Sequence, residues 1–316
     1  MTAPPRVVVV TGASSGIGRA TATRAASVGD HVVLVARGRE SLDEVAGECH
    51  AAGATSVLVL STDVSDDAAV QRCVAAVLER HGRIDAVVLS AGVVAYGRTE
   101  QIPVEVFDAV VRTNLLGSVN VARHVLPVMR ERNSGTFVQI GSLIGHIALP
   151  MMSPYVLSKW GIRALARQLQ VENRDRTGVR ICYVAPGGVD TPIYLQAARY
   201  AGHVGRPPPP VVTPEAVARV AMRQLERPRK RTQVGPTNNL IRLGFTAAPG
   251  VFDLLVGRLF PVGATDLTYE VPDGQGNVLA SQPQDNRLRG NQGSALLGVA
   301  RNLAVAVRAG LSRTRE

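Results

Sequence analysis

Short apolar runs alternate with longer amphipathic segments through the first three quarters of the chain. Six runs rich in valine, isoleucine and leucine each predict a strand buried on both faces. They lie at residues 6–11, 31–36, 56–60, 85–89, 136–140 and 179–184. Segments with helical spacing separate them, at residues 18–28, 40–52, 66–80, 103–132 and 154–175. Such alternation is typical of parallel βαβ units, so the sequence predicts an α/β fold with a doubly wound parallel sheet of the Rossmann type.

The pattern changes in the last quarter of the chain. Residues 236–293 are rich in glycine, proline, asparagine and glutamine, interrupted by an apolar stretch at residues 251–262. Residues 294–311 return to an amphipathic helical pattern. We therefore predict a single domain over residues 1–235 and a partly helical C-terminal extension over residues 236–316.

Composition restricts the class of protein. Hydrophobic residues make up 46% and charged residues 19% of the 316 positions, which excludes a disordered or coiled-coil chain. Apolar runs stay shorter than the roughly 18 residues that span a bilayer, and the first residues lack the pattern of a signal peptide. The three cysteines are far apart and the six histidines have no metal-ligand spacing, so neither a disulfide framework nor a metal site is expected. We expect a cytoplasmic protein.

The net charge of +10 is concentrated in the last third of the chain. Its basic residues are scattered apart from a run at residues 227–231, and no aromatic residues alternate with them to stack on bases. Nucleic acid is therefore not an expected partner, and the charge is interpreted as solvated surface. Contact of the basic C-terminal extension with an acidic membrane surface is an alternative, although docking of helix 294–311 on the domain or on a partner subunit is simpler.

A glycine-rich turn, Thr11-Gly-Ala-Ser-Ser-Gly-Ile-Gly18, joins the first predicted strand to the first predicted helix. A helix N-terminus has unpaired N–H groups and a partial positive charge, and it therefore binds phosphate. Gly12 allows a tight turn, Gly16 leaves room for a pyrophosphate, and Gly18 lets the helix pack on the strand. The alternatives are a plain strand–helix connection or, at residues 12–16, a serine-hydrolase elbow without evident Asp and His partners.

The end of the second predicted strand indicates which dinucleotide would bind. An Asp or Glu there, about 20 residues after the glycine loop, would bind a ribose 2′-hydroxyl. This chain has Ala36 followed by Arg37, whose guanidinium suits a 2′-phosphate. We expect NADP(H) as the cofactor rather than NAD(H). The alternative is that Arg37 is an ordinary surface arginine.

Ser142, Tyr155 and Lys159 are the candidate catalytic residues. Ser142 follows a predicted strand, and Tyr155 and Lys159 lie four residues apart in a predicted helix, so both project from one face. A phenol has a pKa of about 10, and an adjacent ammonium lowers that pKa by favouring the phenolate. Only two of the 35 basic residues are lysines, and one of them is Lys159, where a compact positive charge is needed. We therefore expect a lowered pKa at Tyr155 and a hydrogen bond from Ser142 to a carbonyl substrate.

Together these motifs resemble those of the short-chain dehydrogenase/reductase family, over about residues 6–235. The glycine loop of that family reads Thr-Gly-x-x-x-Gly-x-Gly, as here, and its catalytic Ser, Tyr and Lys correspond to Ser142, Tyr155 and Lys159. Ser90 departs from the asparagine that begins the family's Asn-Ala-Gly motif, and Ser15 stands where NADP-preferring members often carry a basic residue.

The resemblance also implies cofactor-binding roles beyond the glycines, Arg37, Tyr155 and Lys159. The implied residues are Ser14, Ser15 and Ile17 in the loop, Asp63 and Val64 at the adenine, Ser90, Ala91 and Gly92 after the fourth strand, and Pro186, Gly187, Val189 and Thr191 around the nicotinamide. Asn114 matches the helix asparagine that connects the site to solvent through water.

The activity that the resemblance implies is hydride transfer between NADP(H) and a carbonyl carbon. Tyr155 would act as acid in reduction and as base in oxidation, Ser142 would orient the oxygen, and Lys159 would also bind the ribose. A homo-oligomer is expected. The alternative function is a non-catalytic NADP(H)-binding sensor or scaffold that keeps the fold without turnover.

The residues between Ser142 and Tyr155 indicate the substrate class, because nearly all of them are apolar. They are Leu143, Ile144, Ile147, Leu149, Met151 and Met152. A long loop predicted at residues 187–212 would border the same space, and such loops often form lids. We expect a hydrophobic ketone, aldehyde or secondary alcohol as substrate. The alternative is that these side chains only pack in the core.

Overall fold

A computed structural model describes residues 4–313 of the chain, and a seven-stranded sheet forms its centre. The strands are β1 (Val7–Thr11), β2 (His31–Ala36), β3 (Ser56–Ser61), β4 (Ala86–Leu89), β5 (Gly135–Ile140), β6 (Val179–Pro186) and β7 (Arg231–Val234). All neighbours run parallel, in the spatial order β7-β6-β5-β4-β1-β2-β3. The predicted doubly wound, Rossmann-type sheet is confirmed.

Helices cover both faces of the sheet. Those of the described chain are α1 (Gly16–Ala26), α2 (Arg39–Ala52), α3 (Asp67–His81), α4 (Val104–Val111), α5 (Gly117–Glu131), α6 (Ser153–Glu172), α7 (Pro214–Glu226), α8 (Asn238–Ala247), α9 (Pro249–Ala264) and α10 (Ala295–Arg313). α1, α2 and α7 pack on one face, and α3, α5 and α6 pack on the other.

The valines of β1 pack alternately into the two layers of the core, one on each face of the sheet. Val7 and Val9 pack with residues of α3 and α5, whereas Val8 and Val10 pack with residues of α1 and α2. Successive side chains of a strand point to opposite faces, so a strand covered on both sides is apolar at every position. Burial of each such side chain contributes roughly 1.5–3 kcal/mol, and the uninterrupted valine run therefore becomes the centre of the sheet.

The seventh strand was not predicted from the sequence. β7 has the sequence Arg-Thr-Gln-Val and pairs only with β6, in parallel register, at the edge of the sheet. An edge strand of this kind is partly exposed and needs no continuous apolar run, so its polar sequence resembled a surface segment. Its position also places part of the basic run at residues 227–231 inside the sheet.

The predicted long loop at residues 187–212 is tied down by short pairings. Residues Gly188–Val189 pair with Val211–Val212, Ala198–Arg199 pair with Ala95–Tyr96, and Val204–Gly205 pair with Thr265–Asp266. The last of these pairings joins the loop to the C-terminal extension. The loop is therefore held against both the domain and the extension.

The C-terminal extension contains two helices that were not predicted. α8 and α9 lie in a segment whose glycine- and proline-rich composition indicated irregular structure. Pro249 stands in the first turn of α9, where its missing N–H is tolerated, so this proline begins the helix rather than breaking it. α10 covers the helix predicted at residues 294–311. No helix within residues 4–313 is both long and apolar enough to span a bilayer.

The predicted boundaries of the domain and the extension, 1–235 and 236–316, stay a prediction. Their terminal residues 1–3 and 314–316 lie outside the described part of the chain.

Asn302 fastens α10 to the end of α9. Its side chain is 1% exposed and donates to the carbonyls of Val262 (2.8 Å) and Thr265 (2.7 Å), while its oxygen accepts the N–H of Leu267 at 2.9 Å. One side chain thus satisfies three backbone groups at the turn between α9 and the segment that follows.

We predict that Asn302→Ala destabilises the protein by about 1–3 kcal/mol, because buried backbone groups lose their hydrogen bonds. The matched control is Asn239→Ala, at an exposed position where the only side-chain contact is with Arg242, and its effect is expected to stay within about 0.5 kcal/mol. Urea unfolding measures both variants. Equal midpoints for Asn302→Ala and the wild-type protein would contradict the prediction.

Candidate active site

The carboxyl ends of β1 and β4 meet at one edge of the sheet. The N–H of Ser90 donates to the carbonyl and to the hydroxyl of Thr11, both at 3.2 Å, and the N–H of Ala91 donates to the same hydroxyl at 3.3 Å. These bonds come from the backbone of residues 90 and 91. The serine that replaces the family's asparagine at position 90 is therefore compatible with this junction.

The glycine loop leaves the space that a phosphate needs. Gly12 and Gly16 have left-handed φ values of 66° and 49°, which favour glycine. A Cβ on Gly12 would collide with the backbone of Ala91, and one on Gly18 with the carbonyl of Gly12. Within the described chain, the side chain of Ser15 at the start of α1 accepts no hydrogen bond from the first turn. The N–H of Gly16 donates to the carbonyl of Arg287 at 3.1 Å, whereas the N–H groups of Ile17 and Gly18 are left for an anion such as a dinucleotide phosphate.

A cleft with a cavity of about 140 Å³ runs along this edge of the sheet. It brings together most of the predicted cofactor-binding residues, which are Gly12, Ser14, Ser15, Gly16, Ile17, Arg37, Asp63, Val64, Ser90, Ala91, Gly92 and Thr191. Gly18 lies inside the turn instead. Pro186, Gly187 and Val189 lie at or after the end of β6 and do not line the cleft, and Tyr155 and Lys159 lie outside its lining as well. Their proposed contacts with a nicotinamide stay predictions.

One wall of the cleft was not predicted from the sequence. This wall belongs to the C-terminal extension, which supplies Asn277, Ser281, Gln282 and Asn286. Their polar character was visible as part of an Asn- and Gln-rich segment, but nothing in the sequence indicated that the segment returns to the first strands of the domain.

Arg37 lies in this cleft and contacts the extension. Its guanidinium donates to the carbonyl oxygens of Asn277 at 2.5 Å and Val278 at 3.1 Å. Burial lowers the pKa of Arg37, and the nearby carboxylate of Asp63 partly offsets that effect. The arginine is therefore a cleft residue with fixed partners, which contradicts the alternative that it is an ordinary surface side chain.

The candidate catalytic residues lie side by side, as the helical spacing predicted. The Nζ atom of Lys159 is 5.4 Å from the centroid of the Tyr155 ring and donates to the carbonyl of Ile140 at 3.4 Å. The Ser142 hydroxyl oxygen, just beyond β5, accepts the N–H of Ile144 at 3.1 Å. That bond orients the hydroxyl and leaves its proton free to donate.

The expected lowering of the Tyr155 pKa is wrong for this arrangement. Burial raises that pKa, Tyr194 and Tyr183 add to the rise, and a hydrogen bond with Ser142 only partly opposes it. Burial also lowers the pKa of Lys159 to about 8. The spacing of the two residues reveals the neighbouring ammonium but not their burial in the folded protein. Burial causes desolvation, which disfavours both charged forms.

The side chain of Asn114 is hydrogen-bonded both to the segment after β4 and to α6. It lies in a π-helical turn, Arg112–Leu116, which interrupts the predicted helix at 103–132 between α4 and α5. Its amide donates to the carbonyl of Val93 (2.9 Å) and to the hydroxyl of Ser158 (3.0 Å), and its oxygen accepts the N–H of Val93 at 2.8 Å. Asn114 therefore fixes the segment after β4 against the helix that carries Tyr155 and Lys159.

Four of the six apolar residues expected around the substrate pack in one cluster with Tyr155, and Leu143 and Ile147 lie outside that cluster. Ile144, Leu149, Met151 and Met152 share one cluster with the tyrosine. Phe260 and Ala264 of α9 complete the same cluster. The tyrosine is thus enclosed by apolar side chains, some of which come from the extension.

Comparison with known proteins identifies the family. The family model described as short chain dehydrogenase matches residues 6–199. A 2-(R)-hydroxypropyl-CoM dehydrogenase from Xanthobacter autotrophicus is 37% identical over 191 residues, 60% of this chain and 76% of that protein. Levodione reductase from Leifsonia aquatica is 40% identical over 190 residues, which cover 60% of this chain and 71% of the relative.

Solved structures agree with this result. An alcohol dehydrogenase from the archaeon Thermococcus sibiricus, complexed with 5-hydroxy-NADP, is 31% identical and superposes with a TM-score of 0.62. The match covers 73% of this chain and 94% of that protein. The chain belongs to the short-chain dehydrogenase family.

The lowered pKa of Lys159 predicts a pH-dependent stability. Below about pH 8 the lysine is charged in both the folded and unfolded states, so the folded state bears the full penalty of burying an ammonium. The penalty disappears as the pH rises from about 8 to the ordinary lysine pKa of 10.5. We predict that Lys159→Met is more stable than the wild-type protein at pH 7 and that the difference shrinks over this range.

Urea midpoints between pH 7 and pH 10.5 measure this trend. Lys230→Met, at an exposed position, is the matched control because burial is the stated cause. Wild-type and Lys159→Met curves that stay parallel throughout would show that burial does not perturb Lys159.

Proposed function

We propose that this protein is an NADP(H)-dependent oxidoreductase that interconverts a hydrophobic ketone or aldehyde and the corresponding alcohol. The observation that carries the proposal is that Tyr155, Lys159 and Ser142 lie together: the Nζ of Lys159 is 5.4 Å from the Tyr155 ring, and Ser142 is hydrogen-bonded to the same tyrosine. The same Nζ would lie 3.8 Å from a Cβ on Gly92, a residue that lines the glycine-loop cleft. A pure nucleotide binder has no use for a phenol, an ammonium and a hydroxyl assembled in this way. The family membership and the dehydrogenase and reductase names of its relatives support the same activity.

In the direction of reduction, the chain supplies a proton donor and the side chains that orient the substrate and stabilise the charge left on the donor. Reduced nicotinamide supplies the hydride when bound. Tyr155 gives its phenolic proton to the carbonyl oxygen, while the Ser142 hydroxyl donates a hydrogen bond to the same oxygen. Lys159 then stabilises the phenolate by its positive charge. Asn114 holds the helix of Tyr155 and Lys159 in place.

The cleft residues that would hold the dinucleotide have separate tasks. The N-terminus of α1 and the glycine loop would bind the pyrophosphate, and Asp63 and Val64 would lie at the adenine. Arg37 would bind the 2′-phosphate, because its guanidinium lines the same cleft and suits charge-assisted hydrogen bonds with a phosphate. The apolar surroundings of Tyr155 support a hydrophobic substrate.

We predict that Tyr155→Phe lowers the rate of NADPH oxidation with an apolar carbonyl by roughly 10²- to 10⁴-fold, since the proton donor is removed. Binding of NADPH, followed by its fluorescence, is expected to persist. Tyr200→Phe removes a phenol from the apolar cluster that also contains Tyr155 and is the matched control, with nearly unchanged turnover.

This experiment also separates the proposal from the sensor or scaffold alternative. Dinucleotide binding by the wild-type protein without turnover of any compound in a panel of apolar carbonyls and alcohols would favour the non-catalytic function. Turnover that survives in Tyr155→Phe would remove the assigned role of the tyrosine.

The choice of NADP(H) is tested through Arg37. We predict that Arg37→Ala weakens NADPH binding roughly 10- to 100-fold more than NADH binding, because only NADPH loses a charge-assisted hydrogen bond. The ratio of the two affinities is the informative quantity, since loss of the contacts with the extension affects both cofactors alike. Arg39→Ala, an exposed arginine paired with Asp43, is the control. Equal losses for NADPH and NADH would contradict the 2′-phosphate assignment.

Assembly and location are further parts of the proposal. The proposal includes a homo-oligomer and, from the composition of the sequence, a cytoplasmic location. Contact of the C-terminal extension with a membrane surface remains the less favoured alternative. Light scattering with and without anionic vesicles distinguishes the two.

A further inference from the structure

Residues 274–292 of the extension, here called the strap, cross the opening of the dinucleotide cleft. The strap begins at Gly274, which exchanges two backbone hydrogen bonds with Arg199, at 2.7 and 3.0 Å. It ends at Gln292, whose carbonyl accepts a hydrogen bond from the buried guanidinium of Arg206 at 2.7 Å. The strap lies outside residues 6–199, the part matched by the family model.

Two groups assigned to the dinucleotide are engaged by the strap. The guanidinium of Arg37 donates to the carbonyls of Asn277 and Val278, and the N–H of Gly16 donates to the carbonyl of Arg287 at 3.1 Å. Gly16 belongs to the loop that would hold the pyrophosphate. In this conformation, backbone carbonyls of the strap accept hydrogen bonds from Arg37 and Gly16. These are the groups expected to bind the 2′-phosphate and the pyrophosphate.

The strap is also hydrogen-bonded to residues on both sides of the cleft. The side chain of Asn286 donates to the hydroxyl of Ser41 in α2 at 2.9 Å, and its oxygen accepts the amide of Gln196 at 2.9 Å. Further along, the N–H of Asn291 donates to the carboxylate of Asp190 at 3.1 Å. These contacts hold the strap across the cleft, between α2 on one side and Gln196 and Asp190 on the other.

The inner part of the strap reaches the candidate catalytic residues. Val278 is 2% exposed and packs in one apolar cluster with Val93, Ala198 and Tyr155. Movement of the strap would consequently uncover both the cofactor groups and the neighbourhood of the tyrosine.

The strap is built to detach more easily than the elements beneath it. Among its described side chains, Val278 is the one hydrophobic residue that is buried. Its other attachments are hydrogen bonds and one ion pair, several of them paired, to residues that include Arg199, Gln196 and Glu215. Its regular structure is one short turn, Pro283–Asp285. Segments with few buried apolar contacts open locally at a small fraction of the free energy of global unfolding.

We propose that the strap is a gate that must release Arg37 and Gly16 before NADP(H) can enter or leave the cleft. This inference rests on the proposed function, since it concerns the same dinucleotide site. Exchange of the cofactor is then limited by opening of the strap rather than by diffusion into an open groove.

A reversible cross-link tests the gate directly. A Cβ placed on Gly38 would lie 3.7 Å from the Cβ of Ser281 in the strap, within the roughly 3.5–4.5 Å span of disulfides. Gly38 has a φ of −85°, which other residues adopt freely. The native cysteines, Cys49, Cys73 and Cys182, are buried. The double variant Gly38→Cys/Ser281→Cys therefore closes the strap on oxidation and frees it on reduction.

Stopped-flow measurement of NADPH fluorescence gives the association and release rates. Oxidation of the double variant is expected to slow association at least about tenfold relative to its reduced form, and a thiol reductant reverses the change. Oxidation after loading with NADPH is expected to slow release by a similar factor. In the single variants Gly38→Cys and Ser281→Cys, oxidation alters neither rate relative to the reduced form of the same variant, and thiol titration confirms the cross-link.

A second variant tests the gate without a cross-link. Ser41→Ala removes the anchor of Asn286 and leaves the candidate cofactor and catalytic residues intact, so association and release are both expected to rise roughly 2- to 10-fold. Ser27→Ala, at an exposed position directly after α1, is the control and leaves both rates unchanged.

The outcomes separate the two proposals. Equal association and release rates in the cross-linked and reduced protein, or in Ser41→Ala and the wild-type protein, would show that the strap is a fixed wall and would overturn the gate while leaving the oxidoreductase proposal intact. Failure of the wild-type protein to bind either NADPH or NADH would overturn both.

Discussion

The parallel register of β1, β4 and β5 is the constraint on which the rest of the site depends. Thr11 at the end of β1 lies opposite Leu89 of β4, and Leu89 lies opposite Gln139 of β5. Parallel strands in this register end at one edge of the sheet, so the loop after each strand opens onto the same space. The glycine loop, the turn at residues 90–92 and Ser142 are therefore brought together by backbone pairing of strands whose side chains form the core.

Burial shifts the pKa values of Tyr155 and Lys159 in the directions that favour their neutral forms. The raised pKa of Tyr155 and the lowered pKa of Lys159 have the same main cause, because desolvation disfavours phenolate and ammonium alike. A neutral phenol is the form that donates a proton to a carbonyl oxygen. In the proposed reverse reaction the phenol loses its proton, and the positive charge of Lys159 beside the ring would stabilise the phenolate that forms.

The sequence predicts local features well and long-range contacts poorly. The strands, the glycine loop and the pairing of Tyr155 with Lys159 follow from spacing over a few residues, and the structure has them where they were expected. The contact of Arg37 with Asn277 joins positions 240 residues apart, and no local pattern encodes it. β7 was missed because an edge strand needs few apolar residues, and the pKa direction of Tyr155 was missed because burial is a property of the assembled fold.

The extension lines part of the dinucleotide cleft and also packs beside Tyr155, and hydride transfer to a carbonyl substrate is the central claim. Deuterium transfer tests that claim most directly: the protein is incubated with an apolar ketone and NADPH that carries deuterium at both C4 positions of the nicotinamide. The account predicts an alcohol with one deuterium on its carbinol carbon. An alcohol product without deuterium, or complete absence of alcohol despite bound NADPH across a broad panel of ketones, would contradict it.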